Sequence, residues 1–199
     1  IGVQVIRPLA ELADAIVARG GAAAVATLPA VHPRSRAQQA ALFARLWGLH
    51  DEAQHGAVPL SEPDSALAEA MIGVRLSHDA AALAHIRGAV QITRRGHLAG
   101  MALTSPDRRE REVRAAIERE FTAHGAVPAY GSIVSVAGEV LHNEHSHQHM
   151  RAGDLLLVDA GAELHGWASD VTRTWPVSGE FSPTQRAMYD IVLQANIDA

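Results

Sequence analysis

Asp159 and Asp170 lie eleven residues apart, and each sits where a carboxylate is costly. Four apolar residues, Leu155-Leu156-Leu157-Val158, precede Asp159, so its side chain falls at the end of a buried strand. Asp170 is followed by the β-prone run Val171-Thr172-Arg173-Thr174-Trp175. Burying an unpaired carboxylate is unfavourable, and something must compensate it. Leu164-His165-Gly166 is the natural turn between the two segments. A hairpin centred on the Leu164–His165 peptide bond sets Asp159 directly opposite Asp170, with Cβ atoms roughly 4.5–5.5 Å apart. Like charges so placed require either a shared proton or a cation between them. Carboxylates are hard oxygen ligands suited to Mn, Mg or Ca, or, with histidine help, Zn and Co. The bland alternative is a pair of turn and cap residues. The apolar run before Asp159 and the β-prone run after Asp170 both weigh against it.

A second cluster, His142-Asn143-Glu144-His145-Ser146-His147-Gln148-His149, lies just upstream. His142 follows Val140 and Leu141 and is expected to point inward, toward the aspartates. His145, His147 and His149 alternate with polar residues and are expected to face solvent, where such a tract can collect stray metal.

Around these residues the pattern predicts helices over Leu9–Arg19, Ser35–His50 and Asp64–Val74, with a short strand over Ala22–Thr27. A boundary is expected near Arg75–Ser77. Ser77 would cap a helix over 78–102, with Leu83, Ile86 and Val90 on one face and Gly96 and Gly100 weakening its end. Ser105-Pro106-Asp107 reads as the next helix start, with Val113, Ile117 and Phe121 as its buried stripe. Glu110–Arg114 and Arg114–Glu118 are expected as pairs on its wet side. Strands are expected over Ser132–Ala137, Asp154–Gly161 and Trp167–Pro176. Ser182-Pro183-Thr184-Gln185 is a capping box that starts a helix with Met188, Ile191, Val192 and Ala195 inward. That helix reaches Ala199 with no stop signal, which suggests a chain cut in mid-domain.

Composition narrows the partners. The net charge of -5 argues against nucleic acid. The absence of cysteine excludes disulfides, thiolate metal sites and a cysteine nucleophile, and it is compatible with a cytoplasmic setting. No apolar run is long enough for a membrane helix. His32, His50 and His55 are expected at the surface.

At Asp159-Ala160-Gly161 and Asp170-Val171-Thr172-Arg173-Thr174-Trp175-Pro176-Val177-Ser178-Gly179-Glu180-Phe181 the chain resembles the pita-bread metallopeptidases. This family includes aminopeptidase P, prolidase, methionine aminopeptidase and creatinase. Leu141-His142, Gly125, Tyr130-Gly131-Ser132-Ile133-Val134, Gln185-Arg186 and Tyr189 fit the same pattern. The resemblance spans roughly residues 75–199 and is nearest to the Xaa-Pro aminopeptidases. It implies an α+β, pita-bread catalytic domain, of which residues 75–199 are the first half. Residues 1–74 would be part of a small α/β creatinase-like domain at the N-terminus. It implies two divalent ions, manganese first, with cobalt or zinc as alternatives, held by two Asp, one His and two Glu. Asp159 and Asp170 are the two Asp; the other three would lie beyond residue 199. By the same resemblance Asp170 bridges the ions, Thr172 orients a ligand carboxylate, and His142 binds substrate instead of metal. The reaction implied is removal of the N-terminal residue before a proline, with a peptide as partner and a homo-oligomeric full-length form. A prolidase and a non-catalytic pita-bread binding module are the alternatives. An aspartic-peptidase reading of Leu156–Ala162 lacks the hydroxyl that signature carries after its aspartate, because residue 160 is alanine. Two of five ligands imply weak metal binding and no appreciable peptidase activity for these 199 residues alone.

Overall fold

A computed structural model describes residues 6–21, 25–30, 32–47 and 62–199. The chain divides into two units, Ile1–Ser77 and His78–Ala199. In the first unit a 3-10 turn at Leu9–Glu11 leads into α1 (Leu12–Val17), followed by α2 (Pro33–Trp47) and α3 (Glu62–Arg75). Gly20 and Gly21 follow α1 with positive φ, as the expected stop. The strand expected over Ala22–Thr27 lies partly outside the described residues, and 25–27 are irregular. His50 and His55 lie outside them as well; His32 is exposed.

The second unit opens with α4 (Ala80–Leu103), capped by Asp79 instead of Ser77; the Asp79 carboxylate accepts the Ala82 N–H at 2.7 Å. The buried face of α4 is also not the one that large apolar residues mark. Leu83 and Val90 are exposed, whereas Ala82, Ala89, Ile92, Thr93, Gly96, His97 and Gly100 are buried. The reason is close approach. A Cβ on Gly96 would sit 2.7 Å from the Phe121 ring, and one on Gly100 would sit 3.0 Å from Ile117. The two glycines therefore form the helix contact, a role their helix-weakening propensity conceals.

That contact is with α5 (Glu110–Ala123), whose stripe Val113, Ile117 and Phe121 is fully buried as expected. Each such side chain contributes roughly 1.5–3 kcal/mol on leaving water. Ser105-Pro106-Asp107 forms a turn, not the helix start, and Asp107 has positive φ. The helix begins at Glu110, where the Glu112 side chain accepts the Arg109 N–H at 2.7 Å. Arg114–Glu118 forms at 2.8 Å. Glu110 is not its partner on the wet side: it is fully buried, and its two oxygens accept the Val136 and Gln148 N–H groups at 2.8 and 3.0 Å.

Six short strands follow: β1 (Val127–Pro128), β2 (Ile133–Ser135), β3 (Leu155–Asp159), β4 (Ala162–Leu164), β5 (Trp167–Ala168) and β6 (Thr172–Pro176). They form two antiparallel three-stranded sheets, in the orders β1-β4-β5 and β2-β3-β6. Each of the three long segments thus passes through both sheets and breaks between them, at 129–132, 160–161 and 169–171. Val134, Leu156, Val158, Trp175 and Val177 join the α5 stripe in one core. The chain closes on α6 (Pro183–Asp198), started by the expected capping box: Ser182 Oγ accepts from Gln185 N, and Gln185 Oε1 accepts from Ser182 N. Met188, Ile191, Val192 and Ala195 are exposed, not inward. The helix has an apolar face, but nothing among the described residues covers it.

The α4–α5 contact yields a prediction. Gly96→Ala forces its Cβ against the Phe121 ring and should destabilise the chain by about 1–3 kcal/mol in urea unfolding. An unchanged midpoint would show that α4 and α5 do not pack this closely.

Candidate metal centre

The hairpin that carries both aspartates turns at His165–Gly166, one residue later than expected. His165 (φ 54) and Gly166 (φ 85) both take positive φ, the requirement of the tight two-residue turn that matches strand twist. Leu164 pairs with Trp167 across it, and Asp159 pairs with Thr172 instead of Asp170. A regular ladder in this register would leave the two aspartates diagonal neighbours, roughly 7–8 Å apart with their Cβ atoms somewhat closer.

The ladder is not regular, and the break between the sheets is what matters. Gly161 packs so tightly that a Cβ there would lie 1.8 Å from the Ser169 carbonyl oxygen and 3.1 Å from the Tyr130 ring. Only glycine fits. Its carbonyl turns away to accept the Ala129 N–H at 2.9 Å, which draws the 129–132 segment across the break. Tyr130 is thereby aimed at both aspartates. Its hydroxyl lies 2.5 Å from Asp159 Oδ1 and 3.0 Å from Asp170 Oδ1. The two carboxylate oxygens can be no farther apart than those two contacts combined.

Buried hydroxyls hold the break from behind. Ala162 N donates to Thr93 Oγ1 at 2.8 Å, Thr93 Oγ1 meets Ser169 Oγ at 2.7 Å, and Ser169 Oγ donates to the Ala162 carbonyl at 3.0 Å. His97 Nε2 lies 3.1 Å from the Ala160 carbonyl. Burial holds the His97 imidazole below its ordinary pKa and so favours the neutral ring.

The phenol has one proton and faces two carboxylates. It can donate to only one of them, so the second aspartate meets an oxygen lone pair unless a proton or a cation intervenes. Among the described residues no Arg or His forms an ion pair with either aspartate. Oxygen donors with uncompensated negative charge fit a divalent metal ion. Two carboxylates are not a complete site, however. Among the described residues no third His, Cys, Asp or Glu joins them to form a metal-binding group.

The other sequence candidates lie around this pair. Thr172 is exposed, and its register places its side chain beside Asp159 on the same face. The histidine loop rests on the break segment that carries Tyr130 and on β2: a Cβ on Gly131 would meet the Glu144 carboxylate at 2.5 Å, and Asn143 donates to Ser135 Oγ at 3.1 Å. His142 does not follow an inward-facing run. Val140 and Leu141 are exposed, and His142 itself is exposed at φ 56. No hydrogen bond joins it to the aspartates. His145, His147 and His149 are exposed, as their alternation with polar residues predicts. Tyr130 and His97 escaped sequence reasoning. Tyr130 stood only within a matching segment, and a lone histidine on a helix carries no signal of its own.

A family profile described as metallopeptidase family M24 matches residues 84–199. The Xaa-Pro aminopeptidase of Escherichia coli strain K12 is 41% identical over 125 residues, covering 61% of this chain and 28% of the relative. That of Haemophilus influenzae is 44% identical over 108 residues, covering 53% of this chain and 25% of the relative. The chain thus spans about a quarter of the length of these curated relatives. Among solved structures, the Pseudomonas aeruginosa aminopeptidase PepP matches with a TM-score of 0.61 at 40% identity, over 62% of this chain and 28% of that one. Zinc-substituted E. coli aminopeptidase P in complex with product matches with a TM-score of 0.59 at 41% identity, over 61% of this chain and 28% of that one. The second unit therefore has the pita-bread fold of these enzymes, in part.

Tyr130 also generates a pH prediction. Burial, then its hydrogen bonds to Asp159 and Asp170, then their charges, push its pKa well above the ordinary tyrosine value. In the unfolded chain the phenol loses its proton near pH 10, while the folded chain keeps it. Stability from this group is thus complete below about pH 10 and falls as pH rises above it. The sequence contains no lysine to blur the effect. In metal-free buffer, urea unfolding should show this alkaline fall, and Tyr130→Phe should abolish it. An identical fall in the variant would place the phenol elsewhere.

Proposed function

This chain belongs to metallopeptidase family M24, and we propose that it forms part of the active site of a metal-dependent aminopeptidase that removes the N-terminal residue before a proline. The observation that carries the reading is the convergence of Asp159 and Asp170 on one phenol, with no cationic side chain among the described residues paired to either. The similarity to Xaa-Pro aminopeptidases supports the substrate class.

On this reading Asp159 and Asp170 would both serve as metal ligands. A further His and two Glu come from sequence outside these residues. Two divalent ions, manganese by preference, would supply a nucleophilic hydroxide near neutral pH. Tyr130 donates its proton to one aspartate and fixes that side chain's rotamer. Thr172, beside Asp159, orients a ligand carboxylate. His142, on the exposed loop, hydrogen-bonds the peptide carbonyl oxygen as charge develops on it. Residues 1–74 are part of an N-terminal domain and 75–199 the first half of the catalytic domain, in a homo-oligomeric cytoplasmic enzyme. Among the described residues no helix is long and apolar enough to cross a membrane.

The 199-residue chain, given Mn²⁺ and an Xaa-Pro-Xaa peptide, should show no appreciable cleavage, because metal affinity depends on ligand number and geometry. Robust cleavage by this chain alone would overturn the ligand assignment. In the complete polypeptide, Asp159→Asn and Asp170→Asn should each abolish manganese binding and cleavage together. There His142→Ala should lower kcat by about 10²- to 10³-fold with metal content unchanged. Loss of metal in that variant would make His142 a ligand. An Xaa-Pro dipeptide cleaved in preference to the tripeptide would shift the substrate class to that of a prolidase.

A further inference from the structure

Helix α4 presents two buried polar side chains one turn apart to the break that follows Asp159. Thr93 holds the Ala162 N–H on its far side, and His97 meets the Ala160 carbonyl on its near side. The His97 contact is chemically specific. A carbonyl oxygen only accepts, so Nε2 carries the proton and Nδ1 is a bare acceptor. Nδ1 is buried and has no hydrogen-bond partner among the described residues, in a residue only 4% exposed. An unsatisfied buried acceptor costs stability. The His97 ring packs edge-on against Trp175, with centroids 6.3 Å apart. If packing were its whole purpose, an apolar ring would fill the same space without an orphaned nitrogen.

What Nε2 holds gives the imidazole a reason to be there. The β3 ladder ends at Asp159, so the Ala160 carbonyl lies beyond the pairing, in the break itself. The N–H of the same residue donates to the Val171 carbonyl at 3.2 Å. The chain of contacts from His97 through Ala160 to Val171 therefore runs through the residues that directly follow Asp159 and Asp170.

We propose that His97 is a positioning residue for the metal centre: by fixing Ala160, it sets the separation of Asp159 and Asp170, and hence their metal affinity, without touching the metal. This rests on reading the two aspartates as metal ligands. A neutral ring suits the task, since it retains a donor at Nε2 without bringing a second charge into the core.

The test is Mn²⁺ titration calorimetry on the complete polypeptide, alongside thermal unfolding. His97→Phe should weaken Mn²⁺ binding by about tenfold, the scale of losing an outer-shell hydrogen bond. His97→Gln, whose amide nitrogen reaches the Nε2 position, should restore most of it. Ile117→Ala, a core change under the same helix, should lower Tm and leave the affinity of the folded protein intact. Wild-type affinity in His97→Phe would overturn the proposal. If His97→Phe does not fold, His97→Gln is compared with His97→Asn, whose amide nitrogen reaches only the Nδ1 position; equal affinities would overturn it. Asp170→Asn separates the two readings. If it abolishes binding while His97→Phe does not, the ligand assignment stands and the His97 inference falls. If the wild type binds no Mn²⁺, both fall.

Discussion

Two carboxylates and one phenolic proton set the terms for this fold. Tyr130 can satisfy Asp159 or Asp170 but not both, so the arrangement carries negative charge that no cationic side chain among the described residues pairs. Such a centre is stable only if the backbone holds it rigidly and something else neutralises it. The apolar strand before Asp159, the glycine two residues after it and the buried hydroxyls behind it all hold the backbone. Asp170 is exposed and Asp159 half-buried, so the charge faces outward.

The break between the two sheets turns an ordinary hairpin into a site. A continuous ladder in the observed register would offset the aspartates. At Gly161 the chain instead sends its carbonyl to Ala129, brings Tyr130 over the gap and leaves no room for any side chain against Ser169. Thr93, hydrogen-bonded to Ser169, then takes the Ala162 N–H that the ladder no longer pairs. The small residues on the inner face of α4 belong to the same scheme. They let α4 approach α5 closely while the helix delivers Thr93 and His97 to the break.

The hairpin was legible because its signals are local: an apolar run, a Gly-containing turn and a β-prone run. Its register was not. The turn places His165 at positive φ, which few side chains favour, so the sequence points to a centre one residue earlier and to an Asp159–Asp170 pair. The α5 stripe was legible from large apolar residues three and four apart. The buried face of α4 was not, since Gly96, Gly100 and Thr93 carry no hydrophobic pattern. The buried carboxylate of Glu110 was hidden for the opposite reason: at the start of a charged helix it looks like any solvated acid, and its backbone donors, Val136 and Gln148, lie far along the chain. For α6 the periodicity showed an apolar face but not what covers it. Tyr130 needed the fold itself, because only the break between the sheets brings residue 130 to residues 159 and 170.

On the proposed reading Asp159 and Asp170 share metal. Crystals of the complete polypeptide grown with Mn²⁺ and measured at the manganese absorption edge test it most directly. An anomalous peak is expected within carboxylate bonding distance, roughly 2.0–2.3 Å, of oxygens from both aspartates. Ordered Asp159 and Asp170 carboxylates still converging on Tyr130, with no anomalous peak between them, would contradict it.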